Sequence, residues 1–281
     1  MCIRDSHNIT IAELLEDLND KGGMVVTPNI DHLVKLQHDQ ELLKAYYHSS
    51  YRVCDSKILQ YIAGMLGNPI KEKISGSDLF PAFYEYNKNN EDTKIFLLGG
   101  EPGVAIKARK NINDKVGREI VVDALSPSFG FEKDEAECQE IVARINESGA
   151  TVLAIGVGAP KQEKWVTKYR NQLTNVKIYL AIGATIDFEA GYKSRSPKWM
   201  SEMGLEWFYR LQSEPGRLWK RYLVDSIPFF WLIGQQKLQN YQFNYLDQIN
   251  CLPLGEILHQ AGILTPQQIR EALLLQQDNQ K

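Results

Sequence analysis

Short apolar segments alternate with longer amphipathic segments between residues 10 and 191, and this alternation limits the possible folds more than any other feature. The apolar segments are four to seven residues long, which is typical of buried strands, and the segments between them have helical periodicity. Such a chain predicts an α/β, Rossmann-like fold, with a mostly parallel sheet and helices on both faces. Strands are predicted over residues 23–27, 51–54, 94–98, 119–123, 151–156 and 176–182.

Helix signals fill the intervals between these strands. The first helix is predicted to begin at Thr10, because Thr10-Ile-Ala-Glu13 has the pattern of a capping box. Further helices are predicted over residues 30–47, 56–65, 133–146, 160–172 and 265–276, with another that begins at Val104.

Composition restricts the class of protein and its surroundings. The 281 residues carry a net charge of −3, so the chain has no global polycationic character and no nucleic-acid partner is expected. Its four cysteines lie far apart without a CxxC pair, which argues against a disulfide framework or a cysteine zinc site and favours a reducing compartment. The longest apolar run near the C-terminus, residues 227–233, is far shorter than the ~20 residues of a spanning helix. No signal peptide is visible, so we expect a cytoplasmic protein.

The sequence divides into four parts. Residues 1–9 join no pattern, residues 10–191 form the predicted α/β domain, residues 192–249 form a basic and aromatic appendage, and residues 250–281 form a small helical tail. The appendage contains four of the five tryptophans, and between Tyr192 and Tyr222 there are seven basic and three acidic residues. Interleaved aromatic and basic side chains are typical of a membrane interface. The alternative is a helical cap whose tryptophans pack on the α/β domain and whose arginines are solvated.

Glycines follow three of the predicted strands, at the edge of the sheet where ligands bind in doubly wound folds. Because glycine lets the backbone approach a ligand and a helix N-terminus attracts phosphate oxygens, a nucleotide or nucleotide-sugar fits this edge. The alternative is that the glycines only shape strand–helix turns. The sequence lacks a GxGxxG pattern, a P-loop and a DxD pair, so no acidic metal–diphosphate site is indicated. These glycines are Gly99, Gly100, Gly156, Gly158 and Gly183.

Polar residues follow the first two strands at the same edge. Thr27 and Asn29 come directly after the first strand, and Asp55 follows the second. A carboxylate at this position could act as a general base. The alternative is that Asp55 caps the helix that begins there, since Asp and Asn are common N-cap residues.

Several motifs of the chain match, in order, those of a known family. The most specific are Pro160-Lys-Gln-Glu163 and Glu206-Trp-Phe-Tyr-Arg210 followed by Glu214-Pro-Gly-Arg217. The other matches are Thr27-Pro-Asn29, Asp55, Ser75-Gly-Ser-Asp-Leu79, Phe96-Leu-Leu-Gly-Gly100, Gly156-Val-Gly158, Ile182-Gly-Ala-Thr-Ile-Asp187, Ala190-Gly191, Arg195-Ser-Pro197 and Arg221-Tyr222. In these residues the chain resembles the WecG/TagA/CpsF glycosyltransferases, which elongate lipid-linked saccharides in bacterial cell-envelope pathways.

The resemblance implies an inverting, metal-independent and cofactor-free transfer of a sugar, typically N-acetylmannosamine, from a UDP-linked donor to an undecaprenyl-diphosphate-linked saccharide. It implies that Asp55 is the general base and that Arg210, Arg217 and Arg221 of the appendage reach the active site. It also implies an enzyme peripheral to the inner face of the cell membrane, with the appendage as its contact, and leaves a homo-oligomer open. The substrate-binding residues it implies are Thr27, Asn29, Ser77, Asp78, Gly99, Gly100, Gly156, Gly158, Gln162, Glu163, Gly183 and Asp187.

The chain departs from the family pattern in three places. Asp55-Ser56 stands where the family usually has Asp-Gly, residues 128–131 replace a His-Gly-aromatic motif, and the family's earliest strand has no counterpart. The tail from Leu254 resembles one repeat of an MshE N-terminal-type domain, which binds cyclic di-GMP through two repeats. The alternative is a helical packing or oligomerisation element.

Two other functions compete with the transferase. An NAD-linked sugar-nucleotide oxidoreductase would use a similar sheet, but the GxGxxG loop is missing. A non-catalytic, nucleotide-responsive binding protein would use the tail, but it would not need a candidate base at Asp55.

Overall fold

The computed structural model describes residues 7–213, 215–220, 226, 227, 229, 231, 233 and 234, without the side chains of residues 198, 217 and 218. Six strands in this part of the chain form one sheet, and every neighbouring pair in it is parallel. The strands are β1 Gly23–Val26, β2 Tyr51–Arg52, β3 Ile95–Gly99, β4 Val121–Leu125, β5 Val152–Gly156 and β6 Ile178–Ala181. Their order across the sheet is β2-β1-β6-β5-β3-β4, which confirms the predicted fold class.

Helices precede, connect and follow these strands. They are α1 Ile11–Lys21, α2 Ile30–Lys35, α3 Gln40–Tyr47, α4 Lys57–Met65, α5 Gly76–Tyr86, α6 Val104–Val116, α7 Glu135–Glu147, α8 Lys161–Tyr169, α9 Thr185–Glu189, α10 Lys198–Glu202, α11 Glu206–Ser213 and α12 Pro215–Trp219. Short 3-10 turns lie at Phe131–Lys133 and Arg170–Gln172. The capping box predicted at Thr10 is confirmed, since the Glu13 N–H donates to the Thr10 hydroxyl at 3.3 Å and the Thr10 N–H donates to the Glu13 carboxylate at 2.7 Å.

The sequence-based prediction is wrong at α2–α3 and at α5, and it also lacks the short helices α9 and α10. The single helix predicted over residues 30–47 is instead α2 and α3, because the Asp39 carboxylate accepts the Leu42 N–H at 3.0 Å and starts a new helix. Helix α5 is absent from the prediction, although Ser75 caps it by accepting the Asp78 N–H at 3.2 Å. Pro81 in its interior conceals the helical pattern, since proline normally ends a helix.

The sheet is buried on both faces, as parallel sheets generally are. Val25 and Leu97 point to one face and join a single cluster with buried residues of α1, α5, α6 and α9. Because side chains alternate along a strand, the buried Met24 and Phe96 point to the other face. Helices α3 and α8 pack against each other outside that cluster. Since all strands run the same way, their carboxyl ends share one edge of the sheet, where the loops after β1, β2, β3, β5 and β6 meet.

Contacts divide the chain into two units, residues 1–229 and 230–281. The predicted tail over residues 250–281 and its resemblance to an MshE-type repeat lie outside the described residues. Within the described part, no helix has both the length and the apolar character needed to cross a bilayer.

Candidate active site

The two polar segments that follow β1 and β2 lie side by side at the carboxyl edge. The Asp55 N–H donates to the Pro28 carbonyl at 3.0 Å. Two residues earlier on both segments, the Val53 N–H donates to the Val26 carbonyl at 3.0 Å. Asp55 is thereby fixed next to the loop that carries Thr27 and Asn29. The juxtaposition follows from the parallel β1–β2 pairing, which the sequence predicts only in general form.

Capping accounts for one of these polar residues but not for Asp55. The Asn29 side-chain oxygen accepts the His32 N–H at 3.2 Å and caps α2. Helix α4 is capped by Ser56, whose hydroxyl accepts the Leu59 N–H at 3.3 Å. The alternative interpretation of Asp55 as a helix cap is therefore wrong, and its carboxylate receives no hydrogen bond from the described residues.

Charged side chains from three segments surround the Asp55 carboxyl. Lys73 lies before α5, and its ammonium is 3.2 Å from the Asp78 carboxylate and 3.3 Å from the Ser201 hydroxyl of α10. Glu206 and Arg210 form an ion pair on α11. These residues join the start of the appendage to the carboxyl end of β2.

The electrostatics of this cluster give Asp55 unusual properties. Burial raises the pKa of Asp55 to about 7, and the nearby Glu206 carboxylate contributes to the rise. Arg210 and Lys73 act in the opposite direction, since positive charge favours the ionised carboxylate. A carboxyl that titrates near neutral pH is suited to accept a proton from a substrate.

Asp78 and Ser77 lie in the same cluster, where their polar groups already bind protein. Although burial acts to raise the pKa of Asp78, hydrogen bonds from Ser75 and Arg195 hold it below its usual value. The Ser75 hydroxyl donates to Asp78 at 2.5 Å and lies 3.0 Å from the Ser77 hydroxyl. Arg195 bridges the Asp78 carboxylate at 2.5 Å and the Ser77 carbonyl at 2.9 Å. This network anchors the segment before α10 to α5.

Gln162 and Glu163 are buried beneath the edge at the start of α8. Gln162 accepts the Gly183 N–H at 3.3 Å and donates to the Glu163 carboxyl at 2.8 Å, so it connects the loops after β5 and β6. Glu163 is 0% exposed, and its Oε2 atom has no hydrogen-bond partner among the residues that the structure describes. Burial raises the pKa of Glu163 to about 7. Tyr46 is also buried. Burial raises the pKa of the Tyr46 hydroxyl, and the nearby negative charge of Glu163 raises it further.

The predicted glycines differ in what surrounds them. A Cβ on Gly99 would lie 2.5 Å from the Gly156 carbonyl oxygen, and one on Gly156 would lie 2.4 Å from the Gly183 carbonyl oxygen. These two glycines allow the strand ends to pack against each other, as the structural alternative predicts. A Cβ on Gly158 or Gly183 would meet open space, although both residues have positive φ.

The remaining predicted residues have diverse surroundings. Thr27 is buried, and Gly100 lies against Val104, which a Cβ at that position would approach to 3.0 Å. The Asp187 carboxylate lies 3.3 Å from the Lys193 ammonium. The side chain of Arg217 and all of Arg221 lie outside the described residues, so their roles stay predictions.

The sequence-based reasoning missed Lys73 and Glu206 as members of the charged cluster. Glu206 precedes Arg210 by four residues, a helical spacing that predicts their ion pair. Lys73 carries no comparable signal, because its contact with Ser201 of α10 joins residues 128 positions apart in the sequence. Within the described part, no group of three or more His, Cys, Asp or Glu side chains is arranged to hold a metal.

A cleft of about 730 Å³ lies along α8 and contains none of the predicted site residues. Its wall includes Lys161, Lys164 and Lys168, and each lysine is ion-paired, with Glu132 at 2.9 Å, Asp39 at 2.8 Å and Glu135 at 2.7 Å respectively. The cleft is therefore separate from the cluster at Asp55, and three of its lysines are already bound to carboxylates.

At the carboxyl edge of this parallel sheet, where ligands bind in open α/β folds, the Asp55 carboxyl with a pKa of about 7 lies near Lys73 and Arg210. A family model described as glycosyl transferase WecG/TagA/CpsF family matches residues 4–243, which is most of the chain. The chain belongs to this family and is a glycosyltransferase of cell-envelope polysaccharide synthesis.

Proposed function

We propose that this protein transfers a sugar of the N-acetylmannosamine type from a UDP-sugar to a polyprenyl-diphosphate-linked saccharide. Membership of the family supports the transferase class and its place in the cell envelope. The observation that carries the proposal is the Asp55 carboxyl, fixed beside the Thr27–Asn29 loop with Lys73 and Arg210 nearby. These are the groups that a single displacement at a sugar carbon requires.

In the proposed reaction, the ionised Asp55 carboxylate accepts the proton of the acceptor hydroxyl. The hydroxyl oxygen forms a bond to the anomeric carbon, while the bond from that carbon to the diphosphate oxygen breaks. UDP leaves with the bonding electron pair, and one displacement inverts the configuration at the carbon. General-base assistance of this kind contributes about 10²–10⁴ in rate.

The departing diphosphate gains negative charge that must be stabilised. Arg210 is close enough to Asp55 to lower its pKa, and its guanidinium is always charged with a planar set of donors. We propose that Arg210, with Arg217 and Arg221 of the same appendage, binds the diphosphate in place of a metal ion. Lys73 adds a second fixed cation from the α/β domain.

Substrate contacts in this proposal come from the open parts of the edge. Thr27 and Asn29 orient the sugars, and Gly158, Gly183 and Asp187 line the donor side. Gln162 and Glu163 act as positioning residues, because Gln162 holds the Gly183 backbone and Glu163 holds Gln162. The appendage contacts the inner face of the membrane, and the exposed Trp199 and Trp219 support that contact.

A transfer assay with a panel of UDP-sugars tests this proposal. The acceptor is a short-chain lipid-diphosphate N-acetylglucosamine in detergent, and EDTA is present throughout. We expect product with one donor of the panel and inversion at the anomeric carbon. UDP binding without product from any donor contradicts the donor–acceptor pair, and product only after Mg²⁺ addition contradicts the metal-independent mechanism.

A further inference from the structure

Helix α4 is apolar on the face that points to the interior and also on the face that points to solvent. Leu59 and Ala63 are buried, whereas Tyr61 is 56% exposed and Met65 is 73% exposed. A helix on the surface of a globular domain normally has polar residues on its outer face. The outer face of α4 therefore has the composition of a contact surface.

The one charged residue of α4 is Lys57, which is positive, whereas Lys71 beyond the helix is ion-paired with Glu13 at 3.3 Å. The sequence from Ser56 to Lys71 contains two lysines, Lys57 and Lys71, and neither Asp nor Glu. The Lys57 ammonium lies 5.4 Å from the centre of the Tyr61 ring and 2.8 Å from the Gln60 side-chain oxygen. A cation thus stands beside an exposed aromatic ring, the combination found where proteins meet anionic lipid headgroups.

The turn that follows α10 adjoins the first turn of α4. A Cβ on Gly204 would lie 3.4 Å from the Lys57 Cβ and 3.8 Å from Ile58, so the two segments are in contact. Trp199 and Met203, one helical turn apart, are 57% and 62% exposed. They extend the apolar surface from the α/β domain to the start of the appendage.

Helix α4 begins directly after the candidate base. Ser56 caps the helix, and the preceding Asp55 is held by its backbone bond to Pro28. Nine helical residues span about 14 Å at ~1.5 Å per residue, so every point on α4 lies within roughly that distance of the Asp55 end. A surface that covers α4 is therefore close to the reacting groups.

We propose that α4, extended by Trp199 and Met203, inserts its exposed side chains into the interface of an anionic bilayer. The purpose of this contact rests on the proposed function, because a lipid-linked acceptor keeps its diphosphate at the headgroup level near Asp55. A bilayer is favoured over a second copy of the chain by charge. A symmetric contact through α4 would bring Lys57 of two copies together, whereas anionic headgroups complement that charge.

Sedimentation of the full chain with vesicles tests the proposal. The vesicles contain phosphatidylethanolamine and phosphatidylglycerol, and the test variant is Tyr61→Ser with Met65→Ser. Both side chains are exposed, so the substitutions leave the core intact. The matched control is Ile106→Ser, which removes an exposed apolar side chain from α6. We expect the partition coefficient of the double variant to fall about tenfold, with no change for the control.

Three further readouts complete the test. We expect the double variant to keep its transfer activity toward a water-soluble short-chain acceptor and to lose most of it toward an acceptor embedded in vesicles. Equal vesicle binding by the double variant and the wild type would overturn the proposal. A wild-type dimer in light scattering that becomes a monomer in the double variant, with vesicle binding unchanged, would assign the surface to a second copy instead. Vesicle binding that depends on α4 in a chain with no transfer activity would retain the surface and reject the proposed function.

Discussion

Replacing Asp55 by Asn is expected to stabilise the protein while it abolishes transfer. Burial raises the pKa of Asp55 to about 7, so the folded state resists ionisation of a group that ionises readily in the unfolded chain. A rise from 3.8 to about 7 corresponds to roughly 4 kcal/mol at ~1.4 kcal/mol per pKa unit. Because part of the Asp55 side chain contacts solvent, we reduce this to about 2 kcal/mol.

The pH dependence of this gain follows from its cause. Below pH 4 the carboxyl is protonated in both states, so the substitution changes the free energy of unfolding little. Between pH 4 and pH 7 the unfolded state loses its proton first, and the cost of burying the charge grows. Above pH 7 the cost is fully present, and the Asn variant should melt about 5 °C higher than the wild type.

Thermal and urea unfolding from pH 4 to pH 8, together with the transfer assay, measure both effects. The matched control is Asp114→Asn on the exposed surface of α6, which we expect to change the free energy of unfolding by less than about 0.5 kcal/mol at every pH. Transfer by the Asp55 variant should fall by about 10²–10⁴ while UDP binding persists. An equal gain in stability at pH 4 and pH 8 would refute the burial argument, and full transfer activity would refute the role of Asp55 as base.

Five other substitutions, at Arg210, Glu163, Gly99 and the control position Gly117, separate the roles of these residues. Arg210→Ala should lower kcat by about 10² and move the acidic limb of the pH profile of kcat/KM to higher pH, since Arg210 lowers the pKa of Asp55; an unmoved limb argues against that contact. Glu163→Gln should keep kcat and should stabilise the protein above pH 7, because it removes a buried carboxylate. Glu163→Ala should lower the free energy of unfolding in urea by about 3 kcal/mol, because it leaves a cavity and removes the acceptor of the Gln162 amide. Gly99→Ala should lower the free energy of unfolding by at least about 3 kcal/mol, because the new Cβ would lie 2.5 Å from the Gly156 oxygen. Gly117→Ala should lower it by about 1 kcal/mol, because Gly117 has a positive φ but open space around it. Equal losses for the two variants would contradict the packing argument.

Most of the fold is encoded locally in this sequence. The periods of apolar residues and the capping patterns concern neighbours along the chain, so the six strands, the α1 capping box and the parallel sheet could be predicted without coordinates. The division at Asp39 and the presence of α5 could not, because a cap in mid-segment and a proline inside a helix weaken the same local signals.

The active-site candidates were found by a different kind of information. Asp55, Thr27 and Arg210 were identified by motif resemblance and by their places after strands or in the appendage. Neither signal specifies which other side chains lie near these residues in the folded protein. The sequence also left open whether Asp55 caps α4, and only the hydrogen bond from Leu59 to Ser56 decides against it.

The amino-acid sequence by itself determined the α/β class and the family resemblance, and it predicted a site at the carboxyl edge with a candidate base. Only the tertiary structure decided that Lys73 and Glu206 lie near Asp55 and that Gly99 and Gly156 serve strand packing. It also decided that Glu163 is buried with one oxygen that has no partner in the described part of the chain. The physical reason is that periodicity and capping are short-range properties of the chain. A pKa, a close backbone approach and a buried carboxyl depend instead on residues that are distant in sequence and meet only when the helices pack on the sheet.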